Sequence, residues 1–189
     1  AFEPSDKEFE LLKDNIKINN LTNITLRKNA ISNKIGKMHF FDNNSNIDDT
    51  SGGVLINSKD NISKTKEVES LTLDNYVEKI NVPLNKKILI KIDIEGYDIH
   101  AIYGAKEIIN KYFCIVIFEF STLILENKNF NLNDFQNFLS NNKLIVKDFN
   151  NKEVSVKDLL ELISNLDKKH STIGNYILLK KDFNEKLKF

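Results

Sequence analysis

Asp93, Glu95 and Gly96 close an apolar, β-branched run that starts at Ile88. Carboxylates at such a strand exit can hold a ligand hydroxyl or accept a proton, because open α/β sheets bind ligands beyond the carboxyl ends of their strands. Glu3 stands at the end of another short apolar segment. There a carboxylate can accept hydrogen bonds from both hydroxyls of a ribose, or it can simply favour the start of the following helix. Lys91 and Glu119 lie inside apolar runs, where a lone charge is very costly. Lys91 is therefore expected to pair with Glu119 or with Asp93, the alternative being side chains that reach solvent at a sheet edge. His39, His100 and His170 have no Cys or carboxylate at ligand spacing, so no metal is expected. His100 follows Asp98 beyond the strand exit and is either a proton acceptor or an ordinary helix-surface histidine. Tyr97 and Tyr103 flank the same mouth, as pocket lining or as core aromatics.

The elements that must position these residues follow from periodicity. The nearly unbroken run from Ile88 to Ile94 predicts a strand covered on both faces, which goes with a parallel sheet. Ile99, Ile102, Ile108 and Ile109 recur at helical spacing, broken only by Gly104, and a second apolar run spans Phe113 to Phe120. Together they predict one βαβ unit. Upstream, Ala1 to Pro4 ends a strand, Ser5 and Glu8 form a capping box, and Phe9, Leu12 and Ile16 mark a helix face. Ile24 to Ala30 alternates as a strand does, and a short strand follows at Lys37 to Phe41. The stretch from Asp42 to Lys66 is rich in Asn, Ser and Asp and reads as loop, a candidate lid, with one short strand at Gly52 to Ile56. Further on, Val68 to Leu73 is extended and Asp74 to Ile80 helical. The remaining elements are a helix at Asn131 to Asn141, a strand at Leu144 to Phe149, a helix at Val156 to Leu166 and a closing strand at Asn175 to Lys180.

With 189 residues, 41% of them hydrophobic, the chain suits one α/β domain over residues 1–189. Its 27 basic residues balance 27 acidic ones, which argues against nucleic acid or an anionic membrane surface as partner. No apolar run approaches the ~20 residues of a membrane span, and no leader pattern opens the chain, so a cytoplasmic location is expected. The single cysteine, Cys114, lies in an apolar strand and reads as an inert buried thiol. A nucleotide-binding sheet of the doubly wound kind carries a glycine-rich turn after its first strand, and no such turn is present in this sequence.

Several short segments taken together resemble the FkbM family of S-adenosylmethionine-dependent methyltransferases. They are Ala1-Phe2-Glu3-Pro4, Asn29-Ala30-Ile31 with Gly36, Leu71-Thr72-Leu73-Asp74, Ile90 to Gly96, Gly104-Ala105 and Phe118-Glu119, with Asn175-Tyr176-Ile177 similar to the family's last strand. The resemblance implies a Rossmann-like three-layer sandwich of class I methyltransferase type, mostly parallel with an antiparallel C-terminal strand. It also implies that the family's first strand and its acidic, glycine-containing turn are missing here. That strand would lie between those ending at Glu3 and Asp93, so the chain is expected to be a fragment with exposed edges, weak stability and negligible cofactor affinity. On the same basis the cofactor is S-adenosyl-L-methionine, held by Glu3 at the ribose, Asn29 and Ala30 along the adenine, and Asp93 and Glu95 at the far end. The expected reaction is O-methylation of a sugar, glycan or secondary-metabolite hydroxyl, with Asp93 as first choice of base and His100 as second. The alternative is a non-catalytic Rossmann-like interaction or structural module. A nicotinamide oxidoreductase is weaker, because its fingerprint is missing.

Overall fold

The computed structural model describes residues 1–41, 54–56, 65–121, 124, 130–164 and 174–184. Helix α1 (Asp6–Ile18) follows Ala1 to Glu3. Then come β1 (Ala30–Ile31), β2 (Gly36–Phe41), β3 (Val54–Ile56), β4 (Thr65–Leu71) and α2 (Leu73–Lys79). The βαβ region comprises β5 (Lys87–Lys91), α3 (Asp98–Tyr103), α4 (Lys106–Lys111) and β6 (Phe113–Phe120). Helix α5 (Leu132–Asn141), β7 (Leu144–Lys147), α6 (Val156–Ser164), β8 (Gly174–Lys180) and α7 (Lys181–Asn184) complete the described chain.

The strands form two mixed four-stranded sheets, ordered β1-β4-β2-β3 and β5-β6-β8-β7. This differs from one mostly parallel sheet. Strands β1 and β4 are parallel, as are β5 and β6, whereas β2 pairs antiparallel with both β3 and β4. Strand β8 runs antiparallel between β6 and β7, in keeping with the expected antiparallel closing strand. The Ala1 to Glu3 segment pairs in parallel with Thr25 to Arg27: Glu3 N–H donates to Arg27 O at 3.0 Å and Arg27 N–H to Ala1 O at 2.9 Å.

Strand β5 corrects a second expectation. It is an edge strand whose side chains alternate, Ile88 and Ile90 half-buried and Leu89 67% exposed, rather than being covered on both faces. Its inward residues face an apolar groove of about 420 Å³ whose opposite bank is Ala1 and Phe2 and whose floor includes Leu73, Val77, Ala101 and Ile108. No described strand occupies that groove. Strand β6, by contrast, has neighbours on both sides and buries Val116, Phe118 and Phe120 in the main core with Ile99, Ile102 and Leu178.

The single helix expected after Gly96 is two, because the chain breaks at Gly104 and Ala105. The break is a close approach: a Cβ added to Gly104 would lie 2.1 Å from Ser32 O, so only glycine lets α3 end against the exit of β1. Asp74 in α2 accepts N–H bonds from Glu107 at 3.0 Å and Ile108 at 2.9 Å, capping α4 from a neighbouring helix. Thr72 Oγ1 caps α2 itself through Asn75 N–H at 3.1 Å. The capping box on α1 forms differently from the reciprocal pattern, Ser5 Oγ donating to the Glu8 carboxylate. Of the loop expected from Asp42 to Lys66, Thr65 and Lys66 belong to β4, and Val54 to Ile56 form the short strand. Residues 42–53 and 57–64, with the candidate lid, lie outside the described residues.

Candidate functional site

Glu3, Asn29, Ala30, Asp93 and Glu95 line one cavity of about 180 Å³, with Phe2, Ile31, Phe40 and Ile94 as its apolar walls. Three chain segments converge there: Ala1 to Glu3 and β5 by their carboxyl ends, and β1 by its start. Glu3 Oε1 accepts the Ser5 N–H at 2.8 Å, so one carboxylate oxygen already serves the start of α1. Ala30 is 1% exposed and presents a small flat surface beside half-buried Asn29. The cavity shares Phe2, Ile31 and Ile94 with the apolar groove beside β5, and the two run side by side.

The β5 exit is strained. Glu95 has φ +52° and Gly96 φ +88°, two successive residues in the left-handed region, and Tyr97 N–H closes the turn on Ile94 O at 3.3 Å. A non-glycine residue there costs about 1–2 kcal/mol, a penalty that recurs at functional turns because it aims a side chain where a regular strand cannot. Asp93, just before, is held by Lys91, whose Nζ lies 2.9 Å from Asp93 Oδ2 and 3.2 Å from Asn175 Oδ1. Of the two pairings open to Lys91, the structure therefore forms the one with Asp93. Among the described residues Glu119 has no ion-pair partner.

Behind Asp93 lies a more buried acidic pair. Asp98 is fully buried at the start of α3, its Oδ1 accepting Glu119 N–H at 3.2 Å and its Oδ2 without a partner. Burial pushes the Asp98 carboxyl up to about 6. Burial, followed by the charges of Asp93, Asp98 and Glu95, pushes Glu119 up to about 7. Both can hold a proton near neutral pH. The sequence reading assigns Asp98 no role; its place between Tyr97 and Ile99 at the start of an apolar helix is the available signal. Among the described residues no three His, Cys, Asp or Glu side chains are grouped to hold a metal.

His100 is not at the Asp93 cavity. It lines a second concavity of about 590 Å³ between α3 and the segment from Ser32 to Met38, a loop that runs into the start of β2, in company with Tyr97 and Tyr103. His100 is 7% exposed, not a helix-surface residue, and burial lowers its pKa, with the Lys34 charge acting in the same sense. Tyr97, with Ala30, Phe40 and Val68, forms the small apolar cluster between the two cavities. His39 sits on β2 with its Nδ1 3.2 Å from Thr65 Oγ1, and His170 lies outside the described residues.

Compared with known protein families, residues 1–168 match the methyltransferase FkbM domain. The chain belongs to the FkbM methyltransferase family. Curated protein sequences and solved structures yielded no match. The FkbM match takes in both sheets up to β7 and ends before β8, so the likeness of Asn175-Tyr176-Ile177 to the family's last strand lies beyond it. Several motif residues of the resemblance have plain structural duties in this FkbM domain: Gly104 permits the contact with Ser32, Thr72 caps α2 and Asp74 caps α4. Glu3, Asn29, Ala30, Asp93 and Glu95 instead surround a cavity. No described helix is long and apolar enough to cross a membrane.

Proposed function

We propose that this FkbM domain is an S-adenosylmethionine-dependent O-methyltransferase acting on a hydroxyl of a sugar, glycan or secondary metabolite. The observation that carries the reading is the convergence of Glu3, Asn29, Ala30, Asp93 and Glu95 on one cavity, Glu3, Asp93 and Glu95 from beyond the ends of their segments and Asn29 and Ala30 from the start of β1. The donor set suits a nucleoside: a carboxylate for the ribose diol, an amide and a small apolar surface for the base. The cavity's 180 Å³ is below the ~300–1,000 Å³ of small-molecule sites, and the adjoining groove supplies the additional room along Phe2 and Ile31. The bound cofactor supplies an electrophilic methyl on sulfur, and the protein's part is to align the acceptor oxygen and remove its proton.

Asp93 is the proposed base. Oriented by Lys91, the Asp93 carboxylate would take the proton of the acceptor hydroxyl when the methyl is transferred to its oxygen. Glu3 holds and Asn29 and Ala30 flank the cofactor's nucleoside, and Glu95 borders its far end. His100, in the other cavity, is the second choice for the base. A cytoplasmic location, one methyltransferase domain over residues 1–189 and a small-molecule or glycan acceptor complete the proposal.

The deciding experiment is calorimetric titration of S-adenosylhomocysteine into the full natural protein and its Glu3→Ala and Asp93→Ala variants. Binding that falls at least ~10-fold with Glu3→Ala, equivalent to 1.4 kcal/mol, is expected. Asp93→Ala should lower turnover more than affinity. No binding by the unaltered protein would favour the non-catalytic module.

A further inference from the structure

The second concavity is larger than the first, about 590 Å³ against 180 Å³. It lies between one face of α3 and its N-cap, where Tyr97, His100 and Tyr103 succeed one another three residues apart, and the segment from Ser32 into the start of β2 at Met38. The His100 ring packs on Tyr97 at 4.7 Å between centroids and meets Tyr103 edge-on at 6.3 Å. Phe138 of α5 holds the Tyr103 ring in place at 4.9 Å. Two polar atoms on this fixed face are buried without a partner: His100 Nδ1, on a residue only 7% exposed, and Tyr103 Oη. Leaving such atoms unsatisfied costs about 1–3 kcal/mol each, an arrangement that is sensible where a ligand completes it.

We infer that this concavity binds an uncharged, polyhydroxylated unit, a sugar ring, through His100 Nδ1 and Tyr103 Oη. The charges around it offset one another: Lys34 opposes Asp134, and Lys37 is already paired with Glu67 at 2.6 Å. Burial pushes Tyr103 up to about 12 and lowers His100, so the first is a phenol and the second a neutral imidazole at pH 7. The hydroxyl protons of Ser32 and Ser70 are already donated, to Asn33 Oδ1 and Lys34 O, which leaves their oxygens as acceptors. The site thus offers both donors and acceptors without net charge. Sugar hydroxyls both donate and accept without charge, whereas a carboxylate can only accept, and it or a phosphate would bring a negative charge to a site lined by Asp134. About 590 Å³ is ample for a sugar ring.

The inference rests on the transferase reading only in making this sugar a part of the methyl acceptor, bound one layer of side chains away from the Asp93 cavity. The test follows the His100 imidazole resonances by NMR, assigned with His100→Gln, while neutral hexoses, 6-deoxyhexoses, acetate or inorganic phosphate are added to the full natural protein. The expected result is a saturable shift with at least one neutral sugar, weakened at least ~10-fold by Tyr103→Phe, which removes only the hydroxyl, with no competition from phosphate. Absence of any sugar-dependent shift would overturn the inference, as would phosphate binding that displaces the sugar and raises the His100 pKa. S-adenosylhomocysteine titrated in parallel separates the two readings. Sugar binding without it leaves a carbohydrate site and removes the transferase.

Discussion

Glu119 and Asp98 make the acidic end of the β5–β6 pair sensitive to pH in a direction opposite to that of most paired carboxylates. Their folded pKa values, about 7 and about 6, lie above those of the unfolded chain, so the folded state binds more protons between roughly pH 4 and 7. The stability this contributes is fully present below the unfolded values and is lost as pH rises through 6 to 7. Glu119→Gln should therefore be more stable than the natural sequence at pH 8, by about 1–2 kcal/mol, and no different at pH 4, as measured by urea unfolding at both. Equal effects at the two pH values would remove the argument. Carboxyl NMR gives a second check: Asp93→Asn should lower the Glu119 pKa and Lys91→Met should raise it, since those neighbours act with opposite signs. At this scale the sequence revealed the carboxylates at strand exits, because chain position alone implies them. It did not reveal that Asp98 is fully buried or that His100 faces a different cavity from Asp93, since both depend on how α3 rotates against the sheets.

At the scale of elements, the helices around the site are held by side chains from outside themselves. Asp74 joins α2 to the start of α4 through two N–H bonds, and Asp74→Ala should cost about 1–2 kcal/mol in urea unfolding, with Asp74→Asn costing less because the amide oxygen still accepts. Gly104→Ala is a sterner test of packing. With Ser32 O 2.1 Å from the new methyl, α3 and the β1 exit must part, so a loss of at least ~2 kcal/mol is expected together with a shift of the His100 resonances. An unchanged stability would mean that the contact yields freely. Strand β6 was legible to the residue because apolar side chains fill both its faces, and α5 because its stripe of Leu132, Phe135, Phe138 and Leu139 keeps helical period. The limits of β4 were hidden, since Thr65 and Lys66 look like loop by composition and become strand only by pairing with Phe41 and Phe40. Likewise an unbroken apolar run cannot distinguish a central strand from β5, whose place at the sheet edge is set by which partners stand beside it.

For the whole molecule, the uncovered side of β5 decides solution behaviour. Among the described residues β5 is an edge strand with an exposed leucine, a template for pairing with another chain, and it adjoins 420 Å³ of apolar groove. Helix α1 adds to the exposed apolar surface, for it buries none of its residues and leaves Leu11 53% and Ile18 75% exposed. The chain of 189 residues by itself should therefore bind an environment-sensitive apolar dye and self-associate as its concentration rises. Leu89→Lys should reduce both at least ~2-fold while leaving the urea midpoint within about 0.5 kcal/mol of the parent, because a charge on an edge strand blocks pairing and an exposed position contributes little burial. Light scattering and dye titration across a concentration series measure the first effect, and urea unfolding the second. If the lysine variant associates as strongly as its parent, the edge of β5 is not the sticky surface, and the apolar face of α1 is the next to change.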